Sequence, residues 1–384
     1  MSAAREEKIV IVGGGLAGAS AACILAAAGH PPLLIERDAK PRHKVCGEFL
    51  SIEAQAYLDY LGIDLETLGA SRIARIRLVQ GRSTTEADLP FLARGLSRKV
   101  LDETVLRQAT IRGARIVRGV SVKTISPDGI GLRLDAGTNG EILAQNLFLA
   151  SGKHDVRGVK REPAGTMNDL IGFKGHYRLA QAHQAALEGS VEVMLFSDGY
   201  AGLQLVEEGI ANLCLVVTRR YFGNSGKSWD RLLARIAEEC PHLGERLDGA
   251  QPLFDQPLSI FQIPYGFLHE PQADDPPGLF RLGDQAAVIP SFTGDGMSIA
   301  LHSGCLAASI FLAQGQACAT FQRRLREDVR RSVRVASTLN AALRYRLGQQ
   351  AVFHLCRAWP AAMRHVTSLT RVQEAAVTGA LAIR

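Results

Sequence analysis

Residues 8–36, KIVIVGGGLAGASAACILAAAGHPPLLIE, decide the fold of this 384-residue chain. Residues 8–12 form a continuous β-branched run, which is typical of a strand buried on both faces. A glycine-rich turn follows at once, and the small apolar residues 19–28 then favour a tightly packed helix that ends at Gly29. Residues 32–36 read as a second short apolar strand. The stretch therefore predicts a β-loop-α-β unit.

The turn carries a G-x-G-x-x-G motif at Gly13, Gly15 and Gly18. In such a motif the first glycine permits a tight turn, the second lets backbone N–H groups approach a pyrophosphate, and the third allows close helix–strand packing. Glu36 follows Gly18 by 18 residues, near the position of an acid that binds ribose hydroxyls. An acid there disfavours a 2′-phosphate. The motif predicts an NAD-like or FAD-like dinucleotide, not NADP, and leaves NAD and FAD both open.

Composition places the chain among ordinary globular proteins. Hydrophobic residues make up 47% and charged residues 21%, which argues against disorder. We expect no apolar run of the roughly 18 to 20 residues that a membrane span needs. Acids precede the first apolar run, which argues against a signal peptide. The seven cysteines include no C-x-x-C pair, so we expect no disulfide framework, no metal site and a reducing, cytoplasmic location.

Positive charge is concentrated at the C-terminal end. Residues 316–384 hold 12 arginines, no lysine and three acidic residues, a net +9 in a chain whose total is +6. We favour an arginine-studded solvent face of helices as the interpretation. The alternative is contact with an acidic protein, a phosphate-bearing ligand or a membrane surface. No nucleic-acid partner is expected, and the oligomeric state is not predicted.

Further elements follow from hydrophobic periodicity. Strands are predicted at 72–79, 115–126, 132–134, 142–150, 171–179, 191–196, 201–206, 211–218 and 279–282. Helices are predicted at 98–111 and 296–314, followed by a helical tail with breaks near Gly348 and Pro360. The strands between about 168 and 265 predict a mostly antiparallel sheet inserted into the first domain.

Residues 283–287, GDQAA, and 290–297, PSFTGDGM, bear on the choice of dinucleotide. They resemble the second flavin motif of the p-hydroxybenzoate hydroxylase-like flavoproteins, and within these the geranylgeranyl reductase group most of all. The resemblance implies that Asp284 binds the ribityl chain and that the turn before Met297 meets the pyrimidine side of a flavin. A helix N-terminus there stabilises the negative charge of reduced flavin.

Three further stretches extend the resemblance. Residues 44–51, KVCGEFLS, resemble a K-x-C-G turn that passes near the flavin ring. Residues 98–105 resemble an R-x-x-L-D-x-x-L helix whose arginine reaches FAD, with Val105 in place of the last leucine. Residues 150–157, ASGKHDVR, stand in place of an A-D-G-x-x-S-x-V-R motif, with Ser151 replacing the aspartate and Asp155 the serine.

The resemblance implies FAD as the cofactor. No second G-x-G-x-x-G follows a later strand, so electrons come from NAD(P)H bound without a dedicated domain, or from another protein. The residues expected to bind FAD are Gly13, Gly15, Ala17, Gly18, Glu36, Arg37, Lys44, Cys46, Gly47, Arg98, Val122, Gly152, Asp284, Gly294, Gly296 and Met297.

The predicted class is α/β, α+β overall: a Rossmann-type FAD-binding domain, an inserted and mostly antiparallel β-sheet substrate domain, and a helical C-terminal extension. The FAD-binding domain is assigned residues 1–70, 98–165 and 271–315, the substrate domain residues 71–97 and 166–270, and the extension residues 316–384.

The leading expectation for the reaction is monooxygenation of an apolar aromatic or polyketide-like small molecule by reduced flavin and O₂. One alternative is reduction of carbon–carbon double bonds in a lipid or isoprenoid, although residues 199–205 keep only Tyr200 of the reductases' Y-x-W-x-F-P stretch. A second is action on a substrate tethered to a carrier protein. Halogenation is a third: the W-x-W-x-I-P signature of tryptophan halogenases is absent, which leaves relatives that lack it.

Three residues are catalytic candidates: Cys46, Glu48 and Tyr200. Cys46 is either a redox or acid group near the flavin or a small packing residue. Glu48 is placed to hold a polar substrate group. Tyr200, Tyr265 and Phe292 either line a cavity or pack in the core. His43 and Lys44 either bind flavin or substrate or belong to a surface loop, and His154 is read as a hydrogen-bonded loop residue.

Overall fold

Two β-sheets and a set of helices build the protein, which is described by a computed structural model covering residues 4–129, 131–162, 166–167, 169–272 and 275–382. The strands are β1 (Arg5–Val12), β2 (Leu33–Glu36), β3 (Phe49–Leu50), β4 (Ser71–Gln80), β5 (Ser83–Gly95), β6 (Arg115–Arg118), β7 (Thr124–Asp128), β8 (Gly131–Asp135), β9 (Glu141–Leu149), β10 (Leu170–Arg178), β11 (Gly189–Phe196), β12 (Gly199–Leu205), β13 (Ala211–Thr218), β14 (Gln251–Pro252), β15 (Leu258–Phe261) and β16 (Leu279–Arg281). The helices are α1 (Leu16–Ala27), α2 (Ile52–Tyr60), α3 (Arg98–Ile111), α4 (Gln181–Leu187), α5 (Arg219–Asn224), α6 (Trp229–Glu239), α7 (Pro241–Leu247), α8 (Gly296–Gln314), α9 (Cys318–Leu343), α10 (Arg346–Ala358), α11 (Ala361–Leu369) and α12 (Glu374–Ala382).

The first sheet is built around β1, which pairs in parallel with β2 on one side and β9 on the other. Strand β6 extends the sheet beyond β2, and β16 pairs in parallel with the second half of β9. The antiparallel hairpin β7–β8 adds to the first half of β9. Residues 9–12 of β1 are buried on both faces. Ile9 and Ile11 pack with α1 and α8 on one face, whereas Val10 and Val12 pack with the β7–β8 hairpin on the other, which explains the continuous apolar run.

The second sheet has the order β14-β10-β13-β12-β11-β4-β5-β3, with β15 also paired to β10. Its ladders are antiparallel except for the parallel pair β4–β11. One face packs against α6 and α7 through Leu232, Ile236 and Leu243. The predicted fold class is confirmed. The domain limits stay predictions, and the limit at residue 165 lies outside the described residues.

Two sequence-based predictions of elements were wrong in detail, and several elements were missed. The single strand expected at 115–126 is two strands, β6 and β7, because Gly119 adopts a φ of +74° and turns the chain. The missed elements are strands β3, β5, β14 and β15 and helices α2, α4, α5, α6 and α7. The helical break falls at residues 344–345, and Gly348 lies inside α10, where an added Cβ would stand 2.1 Å from the Ala342 carbonyl oxygen. This glycine therefore permits close helix packing.

The expectation that no apolar run is long enough to span a membrane was also wrong. Helix α8 has the length and composition of a span, the one such helix among the described residues. However, 78% of its most apolar window is buried inside the protein, as in the core helix of a globular fold. An added Cβ at Gly304 would lie 2.2 Å from the Ala17 carbonyl oxygen, so α8 packs directly on α1.

The C-terminal helices connect the two sheets. Helix α9 packs against α8 and β16 of the first sheet, whereas α10 and α11 pack against β4 and β5 of the second. Leu343, Phe353 and Met363 join the apolar cluster that includes side chains of β4 and β13. These helices thereby form one wall of the space between the sheets.

Candidate active site

A cavity of about 360 Å³ lies between the two sheets. The glycine turn and the 283–297 segment, far apart in sequence, meet on its wall: an added Cβ at Gly283 would stand 3.2 Å from Ala17 Cβ. Most of the lining is apolar, which suits a small-molecule site. The predicted site residues that line the cavity are Gly15, Ala17, Cys46, Gly47, Glu48, Arg98, Gly152, Tyr200, Asp284, Gly294, Gly296 and Met297.

The remaining predicted residues lie elsewhere. Glu36 and Lys44 line a shallow depression beside Gly14, next to the glycine turn. Gly13 and Gly18 lie within the turn. Arg37 is an exposed side chain, and Val122 packs against the core of the first sheet; neither lines the cavity or the depression.

The three motif glycines occupy different environments. Gly13 has a φ of +106°, and an added Cβ would lie 2.3 Å from the Ala150 carbonyl oxygen. At Gly18 the Cβ would lie 2.0 Å from the Gly13 carbonyl oxygen. Gly15 instead has φ −74° and ψ −177°, which any residue adopts, and it precedes α1 without a side-chain cap. The free N–H groups of the α1 N-terminus therefore face the cavity beside Gly15.

Two cations face Gly15. A Cβ built there would stand 3.7 Å from Arg98 Nη2 and 3.8 Å from Lys44 Nζ. Arg98 donates to both Asp102 oxygens, at 2.7 and 3.0 Å, and Lys44 Nζ lies 2.8 Å from the same carboxylate. Burial alone would raise the pKa of Asp102, but the Arg98 and Lys44 cations outweigh burial, so the pKa lies below its ordinary value. The cluster of two cations and one anion keeps a net positive charge where a pyrophosphate would lie.

Glu36 is tied to the glycine turn. Its Oε2 accepts a hydrogen bond from the Gly14 N–H at 2.6 Å, and its Oε1 accepts one from the Asp38 N–H at 2.8 Å. Each carboxylate oxygen keeps a second lone pair, which leaves acceptor capacity for ribose hydroxyls. The ribose-binding role of this acid stays a prediction.

Lys153 is a site residue that sequence reasoning missed. Its Nζ lies 3.0 Å from Asp284 Oδ2 on the cavity wall. Burial alone would raise the pKa of Asp284, but Lys153 lowers it. Arg161 donates to the carbonyl oxygens of both residues at 2.9 Å, and so fixes the loop after β9 to the loop after β16. In the sequence, the departure of residues 150–157 from the family pattern was the signal that could have pointed to Lys153.

The N-terminus of α8 opens onto the same cavity. Gly294 is left-handed with φ +75°, and a Cβ at Gly296 would meet no atom within 4 Å. Between them, Asp295 is fully buried and accepts a hydrogen bond from Arg371 Nη1 at 2.9 Å. Arg371 comes from the segment between α11 and α12 and also donates to the Thr293 carbonyl oxygen. The C-terminal region therefore holds the turn at residues 293–296 in place.

Burial raises the pKa of Asp295 to about 7, although Arg371 opposes the shift. Because the pKa in the folded protein exceeds the unfolded value of about 3.9, this group favours folding most at low pH. Its contribution is lost as pH rises through about 7. We expect Asp295→Asn to gain stability relative to the unsubstituted protein as pH rises from about 4 to 7. Urea unfolding across this range measures the difference, and Asp59→Asn, at an exposed residue of α2, is the control. A constant difference would contradict the assignment.

A buried ionic cluster surrounds Glu48. This residue has a φ of +59° and no exposed surface. Its Oε1 accepts hydrogen bonds from Lys174 Nζ and from the Arg98 N–H, and His176 Nε2 lies 2.9 Å from its Oε2. Burial alone would raise the pKa of Glu48, but His176 and Lys174 lower it. Both oxygens are therefore engaged within the protein.

Sequence reasoning missed Lys174 and His176. Both lie on β10, and their spacing of two residues puts them on one face of the sheet. Polar residues at alternate positions of an otherwise apolar buried strand were the signal. Gln204 and Asn212 also donate to carbonyl oxygens of residues 46–48, so the second sheet fixes the turn that contains Cys46.

Three hydroxyl groups meet on the opposite cavity wall. Tyr200 Oη and Tyr265 Oη lie 2.5 and 2.6 Å from Ser291 Oγ, and 3.1 Å from each other. Burial raises the pKa of both tyrosines, so they stay protonated. Phe292 packs edge-on against the Tyr200 ring and also lines the cavity. The three hydroxyl groups form a polar patch in a mostly apolar cavity lining.

The remaining candidate residues lie in three different environments. Cys46 lines the cavity, and its Sγ accepts a hydrogen bond from the Glu48 N–H at 3.4 Å. His43 packs against His176 and Phe254, and burial lowers its pKa to about 4. His154 is exposed.

The residues on the wall fit FAD. An added Cβ at Gly47, Gly152 or Gly296 meets no atom within 4 Å, so the backbone faces open space at three points along the cavity. Cations and a helix N-terminus lie at the phosphate end, and a second helix N-terminus lies at the other. This pattern suits an elongated, negatively charged dinucleotide.

Comparison with known proteins agrees with this geometry. The family model for pyridine nucleotide-disulphide oxidoreductases matches residues 8–76. A tryptophan 2-halogenase from Chondromyces crocatus is 25% identical over 301 residues, which cover 72% of this chain and 55% of that protein. The chain thus spans little more than half the length of this curated relative.

Solved structures extend the likeness to nearly the whole chain. The myxobacterial chondrochloren halogenase CndH, described as a new variant of FAD-dependent halogenases, is similar with a TM-score of 0.72 and 18% identity, covering 98% of this chain and 96% of that one. The flavin-dependent brominase Bmp2 gives 0.75 and 18%, covering 95% and 93%. These likenesses show the fold. The predicted resemblance to p-hydroxybenzoate hydroxylase-like FAD-dependent oxidoreductases is confirmed, whereas the particular likeness to the geranylgeranyl reductase group stays a prediction. FAD is supported as the cofactor.

Proposed function

We propose that this protein is an FAD-dependent halogenase of an apolar aromatic small molecule. The observation that carries the proposal is one cavity in which both flavin motifs meet an apolar chamber walled by the C-terminal helices. The likeness to halogenase structures, which extends through these helices, supports halogenation over the other reactions of this fold. When bound, reduced FAD supplies, with O₂, the oxidising power that makes a halide electrophilic.

The chain's own residues position the cofactor. Arg98 and Lys44 hold the pyrophosphate at Gly15, and Asp102 fixes both cations. Asp284, held by Lys153, binds the ribityl hydroxyls. The N-terminus of α8 directs free N–H groups at the flavin and favours negative charge there.

The chamber selects the substrate by burial and by one polar contact. Ile76, Leu78 and Val193 of the second sheet face Leu339 and Met363 of the C-terminal helices across it. Apolar walls exclude water, which protects a reactive electrophile from hydrolysis. The hydroxyl cluster of Tyr200, Tyr265 and Ser291 orients a phenol or carbonyl oxygen of the substrate.

Monooxygenation is the second candidate, because the flavin motifs resemble those of hydroxylases. It uses the same cofactor site and the same chamber, and differs in needing no halide.

For either reaction, we propose that reduced FAD comes from a separate NAD(P)H-dependent flavin reductase.

The product identifies the reaction. Purified protein is supplied with FAD, a flavin reductase, NADH, air and either chloride or bromide, together with a panel of phenols, pyrroles and indoles. We expect a product with the isotope doublet of the halide added, and none without O₂. An oxygenated product that forms equally without halide would replace halogenation by hydroxylation. A reduced product that forms best without air would overturn both.

A further inference from the structure

Helix α10 exposes an apolar stripe to solvent. Leu347, Ala351, Leu355 and Trp359 follow one another at a spacing of four residues, which places them along one side of the helix and its C-terminal end. Leu347 is 79% exposed and Trp359 51%, and Tyr345, just before the helix, is 72% exposed. Exposed large apolar side chains are normal when single, but a continuous stripe indicates an interaction surface.

The same region is rich in arginine and contains no acidic residue of its own. Residues 329–373 contain eight arginines, no lysine and neither aspartate nor glutamate. Arg344 pairs with Asp169 and Arg371 with Asp295, so these two serve the fold. Arg346, Arg357 and Arg364 are exposed near the stripe. The surface therefore combines apolar and cationic groups.

The stripe is continuous with the cavity. Val352, Leu355 and Cys356 line the cavity from α10, and Leu355 is also 54% exposed. Leu355 is thus shared by the outer surface and the inner wall. A molecule bound to the stripe lies next to the chamber.

We propose that α10 and the start of α11 dock on an anionic lipid bilayer, from which an apolar substrate enters the cavity past Leu355. Charge alone would suit an acidic protein equally well. Exposed leucine, tryptophan and tyrosine beside arginine favour the bilayer, because aromatic rings and leucines settle at the headgroup boundary while arginines bind anionic headgroups. The substrate route rests on the proposed function, whereas the docking does not.

Vesicle flotation tests the docking. The FAD-loaded protein is mixed with vesicles of phosphatidylcholine alone or with phosphatidylglycerol added, at low and high salt. We expect flotation with the anionic vesicles, weaker with phosphatidylcholine alone and reduced by salt. Leu347→Gln/Trp359→Gln should bind at least about tenfold more weakly, since two exposed apolar side chains that would enter the bilayer are lost. Ile111→Gln, at a 72% exposed residue on α3, is the matched control and should float like the unsubstituted protein.

Two results would overturn the docking. The unsubstituted protein could stay with the unbound fraction at low salt. Alternatively, the double variant could float as well as the unsubstituted protein, which would show attraction by charge alone, as expected for a surface that binds an acidic protein. Halogenation of a soluble substrate by the double variant should be unchanged. Vesicle binding without any halogenated product would leave the docking standing and reject the proposed function.

Discussion

Gly15→Val should give a folded protein that purifies without colour. The backbone at Gly15 suits any residue, and an added Cβ meets nothing nearer than 3.7 Å. The side chain would instead fill the space between the turn and the Arg98 and Lys44 cations, where we place the pyrophosphate. We expect FAD affinity to fall by at least about a hundredfold, because phosphate contacts and helix N–H groups are blocked together.

Variants of two other glycines, Gly18 and Gly223, distinguish an effect on FAD binding from an effect on folding. At Gly18 the added Cβ would lie 2.0 Å from a backbone oxygen, so Gly18→Val should fail to fold. Gly223→Val, in a helix remote from the cavity and with open space beyond its Cα, should bind FAD normally. FAD titration by fluorescence and far-ultraviolet circular dichroism measure the two properties. A yellow Gly15→Val protein with full FAD occupancy would end the site assignment.

Lys174→Met should destabilise the protein by about 3 to 5 kcal/mol at neutral pH. Lys174 and Glu48 are both fully buried, so removing the cation leaves a carboxylate that burial disfavours. Because the folded-state pKa of Glu48 is lowered, its contribution is present above the unfolded pKa of about 4.3 and lost as pH falls further. The cost of Lys174→Met should therefore shrink at acid pH.

A double-mutant cycle with Glu48→Gln isolates the pair. Urea unfolding of Glu48→Gln/Lys174→Met should show a smaller loss than the two single losses added together. Arg82→Met removes an exposed ion pair with Glu245 and should leave the unfolding midpoint unchanged. A single Lys174→Met variant as stable as the unsubstituted protein would contradict the buried cluster.

Local patterns allowed much of the fold to be predicted. The glycine turn combines a buried strand, a fixed glycine spacing and a helix within some 30 residues, so its signal is short-range. The helices at 98–111 and 296–314 agree with the structure at both ends. Strand β5 was not predicted because its N-terminal half is polar and exposed, and because Pro90 interrupts its alternation of apolar and polar residues.

The cavity depends on contacts between distant parts of the chain, which periodicity does not report. Arg371 supports Asp295 from 76 residues away, and Lys174 meets Glu48 across 126 residues. Neither Arg371 nor Lys174 belongs to a motif. The C-terminal helices likewise show amphipathic spacing but no sign of the chamber they line. Of these, only the alternation at residues 174 and 176 was visible in the sequence.

Helix α8 begins at the turn where we place the flavin and continues as the buried helix against which α1 packs. The same nineteen residues thus belong to the proposed cofactor site and to the hydrophobic core. Ligand that binds only the native state stabilises it by mass action. Protein made when flavin is scarce would accordingly melt earlier and be degraded sooner, so the amount of enzyme would follow the supply of its cofactor.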